Sequence, residues 1–120
     1  MARHNKTGKD GETLAVQYFK DKGFTVLHTN WRHSRYEIDI IAHKADKLHF
    51  IEVKTRTSTK YGHPEESVDR KKLENLMKAG EEFLFQNPGW KKVQYDVLSI
   101  TFQHQGMPEY FLFEDVYLYD

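Results

Sequence analysis

The chain contains no cysteine, which excludes disulfide stapling, thiol nucleophiles and thiolate zinc sites together. It has no apolar run approaching the roughly 20 residues that a bilayer span requires. Its opening residues, Met1-Ala-Arg-His-Asn-Lys, lack the apolar segment of a secretion signal, so the expected address is the cytoplasm, with no membrane partner. Net charge is missing too. The 18 Lys+Arg balance 18 Asp+Glu, which argues against a purely electrostatic nucleic-acid binder. No repeat, linker or low-complexity segment interrupts the 120 residues. They are expected to form one domain, 1–120, with a core over about 8–102 and a strand extension over 109–119.

Aromatic residues are plentiful: eight Phe, seven Tyr and two Trp, enough to predict a folded chain rather than a disordered one. The neutral total also hides an asymmetry. Residues 1–60 carry 12 Lys+Arg against 7 Asp+Glu, and residues 61–120 carry 6 against 11, so a basic face can be built mainly from the first half.

The stretch Tyr36 to Arg56 organises the rest. Two β-rich runs, one through Ile38 and Ile40 and one through Phe50, Ile51 and Val53, flank a polar turn at Ala45-Asp46-Lys47 and read as an antiparallel hairpin. Side chains two apart on a strand share a face. Glu37 and Asp39 therefore share one, as do Glu52 and Lys54, and pairing about the turn lets those faces coincide. Before the hairpin, Gly8 to Gly23 reads as a helix bearing Glu12, Phe24 to Asn30 as a strand, and Trp31 to Arg35 as a polar loop. After it, Ser58 to Glu66 reads as a loop bordering a groove. A second helix runs from a cap at Ser67 or Asp69 to about Gln86, with Lys72 at the edge of its apolar stripe. Trp90 to Phe102 is a further strand, and Glu109 to Tyr119 supplies one or two more. The expected class is α/β.

On a solvated sheet face, Glu52 and Lys54 would be an ordinary ion pair. Their neighbours, however, are apolar on both sides of each strand, the pattern of strands covered on both faces. Buried carboxylates need a counter-charge, and Lys54 alone does not neutralise Glu37, Asp39 and Glu52. A divalent cation does. All-oxygen ligands without cysteine favour Mg²⁺ or Mn²⁺, held by Asp39, Glu52 and the main-chain carbonyl of Val53, and such an ion suits phosphodiester hydrolysis. Lys54 would orient the attacking water or balance developing charge. Phosphate contacts would come from Arg32, Arg35, Arg56, Lys60, Arg70 and Lys71. The seven histidines (4, 28, 33, 43, 49, 63 and 104) show no HxxxH or HxH spacing and are expected at the surface; only His33, in the basic loop, is a candidate for phosphate.

An acidic residue followed about a dozen positions later by Glu-x-Lys, on a hairpin after a Glu-bearing helix, resembles the PD-(D/E)xK, or restriction endonuclease-like, superfamily. More closely, the chain is similar to the YraN family of small bacterial proteins, relatives of archaeal Holliday-junction resolvases. The resemblance rests on Gly11-Glu12, Ala15 and Tyr18; Gly23-Phe24; Asn30-Trp31-Arg32; Glu37-Ile-Asp39-Ile-Ile-Ala42; Phe50-Ile-Glu52-Val-Lys54-Thr-Arg56; Lys72, Leu76, Ala79 and Phe83-Leu84; and Tyr95-Asp96-Val97. It departs at Tyr36, where the family usually has Gly, and at Leu73, where it often has Gln. The resemblance implies an αβββαβ core and a mixed central sheet flanked by helices. It makes Asp39, Glu52 and Lys54 the motif residues, Glu12 an additional metal ligand, and Glu37 and Lys72 supporting groups. The activity implied is a metal-dependent nuclease acting on DNA rather than RNA, including branched or structured DNA, for which a symmetric substrate would favour a homodimer. The competing reading is a non-catalytic nucleic-acid-binding or scaffold protein on the same frame.

Overall fold

The computed structural model describes residues 2–57 and 69–116. Its elements run α1 (Ala2–Asp21), β1 (Thr25–His33), β2 (Tyr36–Lys44), β3 (Lys47–Arg56), α2 (Arg70–Gln86), β4 (Lys92–Thr101) and β5 (Glu109–Phe113). This is the expected αβββαβ order with one further strand. The expected loop from Ser58 to Glu66, Lys60, the Ser67 cap and the last residues of the expected C-terminal strand lie outside the described residues.

The five strands form one sheet in chain order. β1, β2 and β3 make an antiparallel meander, β3 and β4 pair in parallel, and β5 returns antiparallel to β4. A parallel pair requires a crossover, which α2 provides. Asp69 caps α2, its side chain accepting from the backbone N–H groups of Lys71 and Lys72, and so satisfies donors that the first helical turn leaves open.

Each face of the sheet is covered by one helix. Ile38, Ile41, Leu48 and Phe50 pack against Leu73, Leu76, Ala79 and Phe83 of α2. On the other face Ile40, Ala42, Ile51, Leu98 and Ile100 pack against Ala15 and Phe19 of α1. This double cover explains the near-continuous apolar runs of β2, β3 and β4. Two glycines set the spacing of the layers. A Cβ on Gly80 would lie 2.7 Å from the Tyr95 hydroxyl and 2.9 Å from Phe50 Cδ2, and one on Gly11 would collide with Thr55 Cγ2.

The expectation of a polar loop over Trp31 to Arg35 is corrected. Trp31, Arg32 and His33 extend β1, pairing with Ile38, Glu37 and Tyr36, and only Ser34 and Arg35 form the turn. Backbone pairing with β2 and the packing of Trp31 against Phe83, with ring centroids 5.4 Å apart, outweigh the local polar composition. The first helix likewise begins earlier than Gly8, and the expected strand over Trp90 to Phe102 is trimmed to Lys92–Thr101.

Candidate functional site

The site arises from a fork in the sheet. β2 and β3 pair from Lys44↔Lys47 as far as Ile40↔Ile51. Beyond that point β2 stays with β1 to its end, and β3 stays with β4 through Arg56↔Thr101. Asp39 is the first residue past the split. Its strand neighbours go to opposite layers, Ile38 under α2 and Ile40 under α1, so the alternation of β2 breaks at Asp39. The carboxylate is directed across the fork: Asp39 Oδ2 accepts the Val53 N–H at 2.7 Å. That bond replaces a ladder bond that the diverging strands no longer make and leaves Oδ1 for another partner.

Across the fork, Glu52 and Lys54 follow Leu48 and Phe50 in the alternation of β3 and so face the α2 layer. They open into a cleft of about 710 Å³ that Asp39 and Val53 also line, with Arg35, Tyr36 and Glu37 at one side and Lys72, Asn75 and Leu76 of α2 at the other. Asp39, Glu52 and Lys54 are half-buried and Glu37 is exposed. The expected cluster of three buried carboxylates is therefore corrected to two, because the Glu37 carboxylate, at the open end of β2, pairs with Arg32 at 3.2 Å.

The electrostatics of the cleft are under-compensated. Burial pushes the Glu52 carboxyl up to about 6, the Asp39 charge adds to the rise, and Lys54 and Lys72 oppose it. Asp39 is also raised, first by burial, then by Glu37 and Glu12, against the lowering effect of the Val53 N–H and Lys54. Lys54 is lowered by burial and then by the adjoining Lys72. Two carboxylates raised by burial in a partly dry cleft, one of them raised further by the other's charge, are a common condition of chemically active sites.

Glu12 is exposed on α1 and approaches from the other layer. Asn30 donates from Nδ2 to Glu12 Oε2 at 3.4 Å, and its φ of 52° is one that Asn adopts more readily than most residues. Asn30, which falls between the Thr29↔Ile40 and Trp31↔Ile38 pairs and so opposite Asp39, thus brings the glutamate to that position. Among the described residues, no group of three His, Asp or Glu side chains is gathered closely enough to hold a metal ion. The donor chemistry nevertheless fits a hard divalent cation: two half-buried carboxylates, one of them with a free oxygen, and no sulfur or imidazole in the cleft.

The expected phosphate contacts are scattered. Arg35 lines the cleft, its guanidinium 5.6 Å from the Tyr36 ring centroid. Arg32 is exposed beside it but paired with Glu37. Arg56 is half-buried, and Arg70 and Lys71 are exposed on the first turn of α2. His33 bonds Glu82 at 3.2 Å and does not line the cleft. Asn75 was missed; it lies three residues after Lys72 on the same helical face, a spacing that could have found it. The expectation that the histidines are superficial fails at His49, which is 6% exposed and bound through Nδ1 to Asp96 Oδ2 at 2.7 Å.

The fold and the cleft together define a mixed α/β protein, with a five-stranded mixed sheet between two helices, compatible with a restriction endonuclease-like core. No helix among the described residues is long and apolar enough to cross a membrane. The chain belongs to the family described as Uncharacterised protein family UPF0102, whose profile matches residues 11–100. It is similar to UPF0102 proteins of Flavobacterium psychrophilum, 40% identical over 100 residues that cover 83% of this chain and 84% of that protein, and of Bacteroides thetaiotaomicron, 39% identical over 102 residues covering 83% of each. A third, from Syntrophomonas wolfei, is 42% identical over 99 residues, 81% of this chain and 85% of that protein.

Proposed function

We propose that the chain is a metal-dependent nuclease that hydrolyses DNA phosphodiester bonds, including those of branched or structured DNA. The observation that carries this reading is the convergence of Asp39, Glu52 and Lys54 at the strand fork, in one cleft with Lys72. Asp39 Oδ1, Glu52 and the Val53 carbonyl would hold Mg²⁺ or Mn²⁺, with Glu12 as a further ligand from α1. The ion would supply Lewis-acid activation of water and of a phosphate oxygen. Lys54, lowered by its surroundings, would position the attacking water or accept its proton. Lys72 and Arg35 would hold the phosphates beside it.

The lack of a three-ligand group among the described residues favours a second reading, a nucleic-acid-binding or scaffold protein in which these charges form only an ion-pair network. Calorimetric titration of Mn²⁺ into the wild type and Asp39→Ala, followed by incubation of both with branched and single-stranded DNA, separates the two. Saturable binding lost in the variant, with metal-dependent cleavage by the wild type alone, is the expected result. A wild type that binds no metal overturns the catalytic reading. Salt-sensitive DNA affinity that survives Asp39→Ala without cleavage establishes the binding protein.

A further inference from the structure

A second concavity, of about 630 Å³, opens on the α1 layer near the β2–β3 turn. Three lysines from separate elements line it: Lys22 just past α1, Lys44 at the end of β2 and Lys47 at the start of β3. Neutral groups hold all three. Lys22 Nζ lies 5.0 Å from the Tyr18 ring centroid and Lys44 Nζ 5.4 Å from that of Phe24, while Lys47 Nζ donates to Gln94 Oε1 at 3.2 Å. Among the described residues none of the three is paired with a carboxylate. Two carboxylates share the lining, Asp46 and Glu114; Asp46 is engaged by Lys92 at 3.2 Å and also lies in the field of Lys47, so the three lysines still outnumber them. Positive charge therefore prevails. On the buried side lies His49, whose Nδ1 is taken by Asp96, so that Nε2 remains as the ring's other hydrogen-bonding atom.

Gathering three ammonium groups in one concavity works against their mutual repulsion, and packing does not demand it, since helix ends and turns accept any polar residue. An ammonium over an aromatic face gains little when exposed. An ionised oxygen partner in a partly enclosed cavity binds it more strongly. The rings and the Gln94 amide thus place the lysines without neutralising them. A phosphate group, with several strong acceptor oxygens, can engage more than one lysine at a time, and the volume falls within the range of small-molecule pockets.

We infer that this cavity binds a small phosphate-bearing anion, up to the size of a mononucleotide, at a site separate from the carboxylate cleft. Inorganic phosphate and a nucleoside monophosphate share the recognised chemistry. The test is calorimetric titration of the full chain, free of divalent metal, with inorganic phosphate, AMP and adenosine. Saturable binding of the phosphate-bearing probes and none of adenosine is expected. AMP binding more tightly than phosphate identifies the mononucleotide as the ligand, and equal affinity identifies free phosphate.

Lys44→Glu and Lys47→Glu should each weaken binding about 10-fold or more, Lys44→Arg should retain it, and Asp39→Ala should leave it unchanged. Lys44 is exposed, so its substitution spares the fold. Absence of saturable binding, or affinity that the lysine variants do not alter, overturns the inference. So does an Asp39→Ala loss equal to theirs. Because Asp39→Ala is the variant that disables the proposed nuclease, the two proposals fail separately.

Discussion

The sheet carries acidic residues on its central strands in two places, and they are treated in opposite ways. On the α1 layer Asp96 is 1% exposed and fully partnered: Oδ2 meets His49 at 2.7 Å, and Oδ1 accepts from Gln94 Nε2 and from the Asp115 N–H, both at 2.9 Å. At the fork, Asp39 and Glu52 are half-open: a single N–H, that of Val53, reaches Asp39, burial raises both carboxyls, and the Asp39 charge raises Glu52 further. A buried carboxylate that serves the fold is surrounded by donors. The fork carboxylates are left short of them, which is the condition of groups that await a cation or a reacting atom.

Four substitutions break or sharpen that contrast. The largest effect is expected from Asp39→Ala: a loss of about 1000-fold in metal-dependent cleavage, roughly 4 kcal/mol of barrier, with a stability change under about 1 kcal/mol because the lost Val53 bond is offset by relieved repulsion. A variant that cleaves at the wild-type rate would remove Asp39 from the chemistry. Asp96→Ala should do the reverse. It strands two buried donors, on His49 and Gln94, and a part-buried one, the Asp115 N–H, and is expected to cost about 3 kcal/mol in urea unfolding; an unchanged midpoint would show that the α1-side network is dispensable.

Gly80→Ala is expected to cost about 2 kcal/mol by overpacking, because the new methyl group displaces α2 from Phe50 and Tyr95 and moves Lys72 relative to the fork. Metal affinity should fall less in this variant than in Asp39→Ala. The smallest effect belongs to Glu52→Gln. The Glu52 carboxyl lies near 6 in the fold against an ordinary 4.5, so the stability it contributes is fully present below pH 4.5 and is lost as pH rises through 6. With its partial exposure allowed for, the variant should be more stable than the wild type by on the order of 1 kcal/mol at pH 8 and no different at pH 4. A difference that stays constant with pH would refute this origin.

The order of elements and the fork residues were legible because they depend on local pattern. The hairpin from Tyr36 to Arg56, its turn, a cap for α2 at Ser67 or Asp69 and the stripe of α2 are all written in spacings shorter than one element. The satisfied site was not legible. His49 and Asp96 meet only because β3 and β4 pair in parallel with Ile51 beside Asp96, a register that no single stretch encodes. The extension of β1 through Trp31 to His33 was hidden for a related reason: its polar residues are ordered by a partner strand and by Phe83, not by their own composition. Glu37 could be placed two residues before Asp39 but neither on the same face, because the alternation breaks at Asp39, nor at the right depth, since its pairing with Arg32 depends on where the sheet ends.

The fork also bears on the order in which the chain assembles. Ile40 and Ile51, the last pair before the split, are 11 residues apart in sequence, whereas Ile51 and Asp96 are 45 apart. Closing the longer loop costs about 1 kcal/mol more, and contacts between distant residues slow folding. The meander that carries Asp39, Glu52 and Lys54 can therefore form before β4 docks, so the cleft is drafted early and locally. The docking of β4, which buries Asp96 against His49, carries the longer loop closure and is the contact expected to form later.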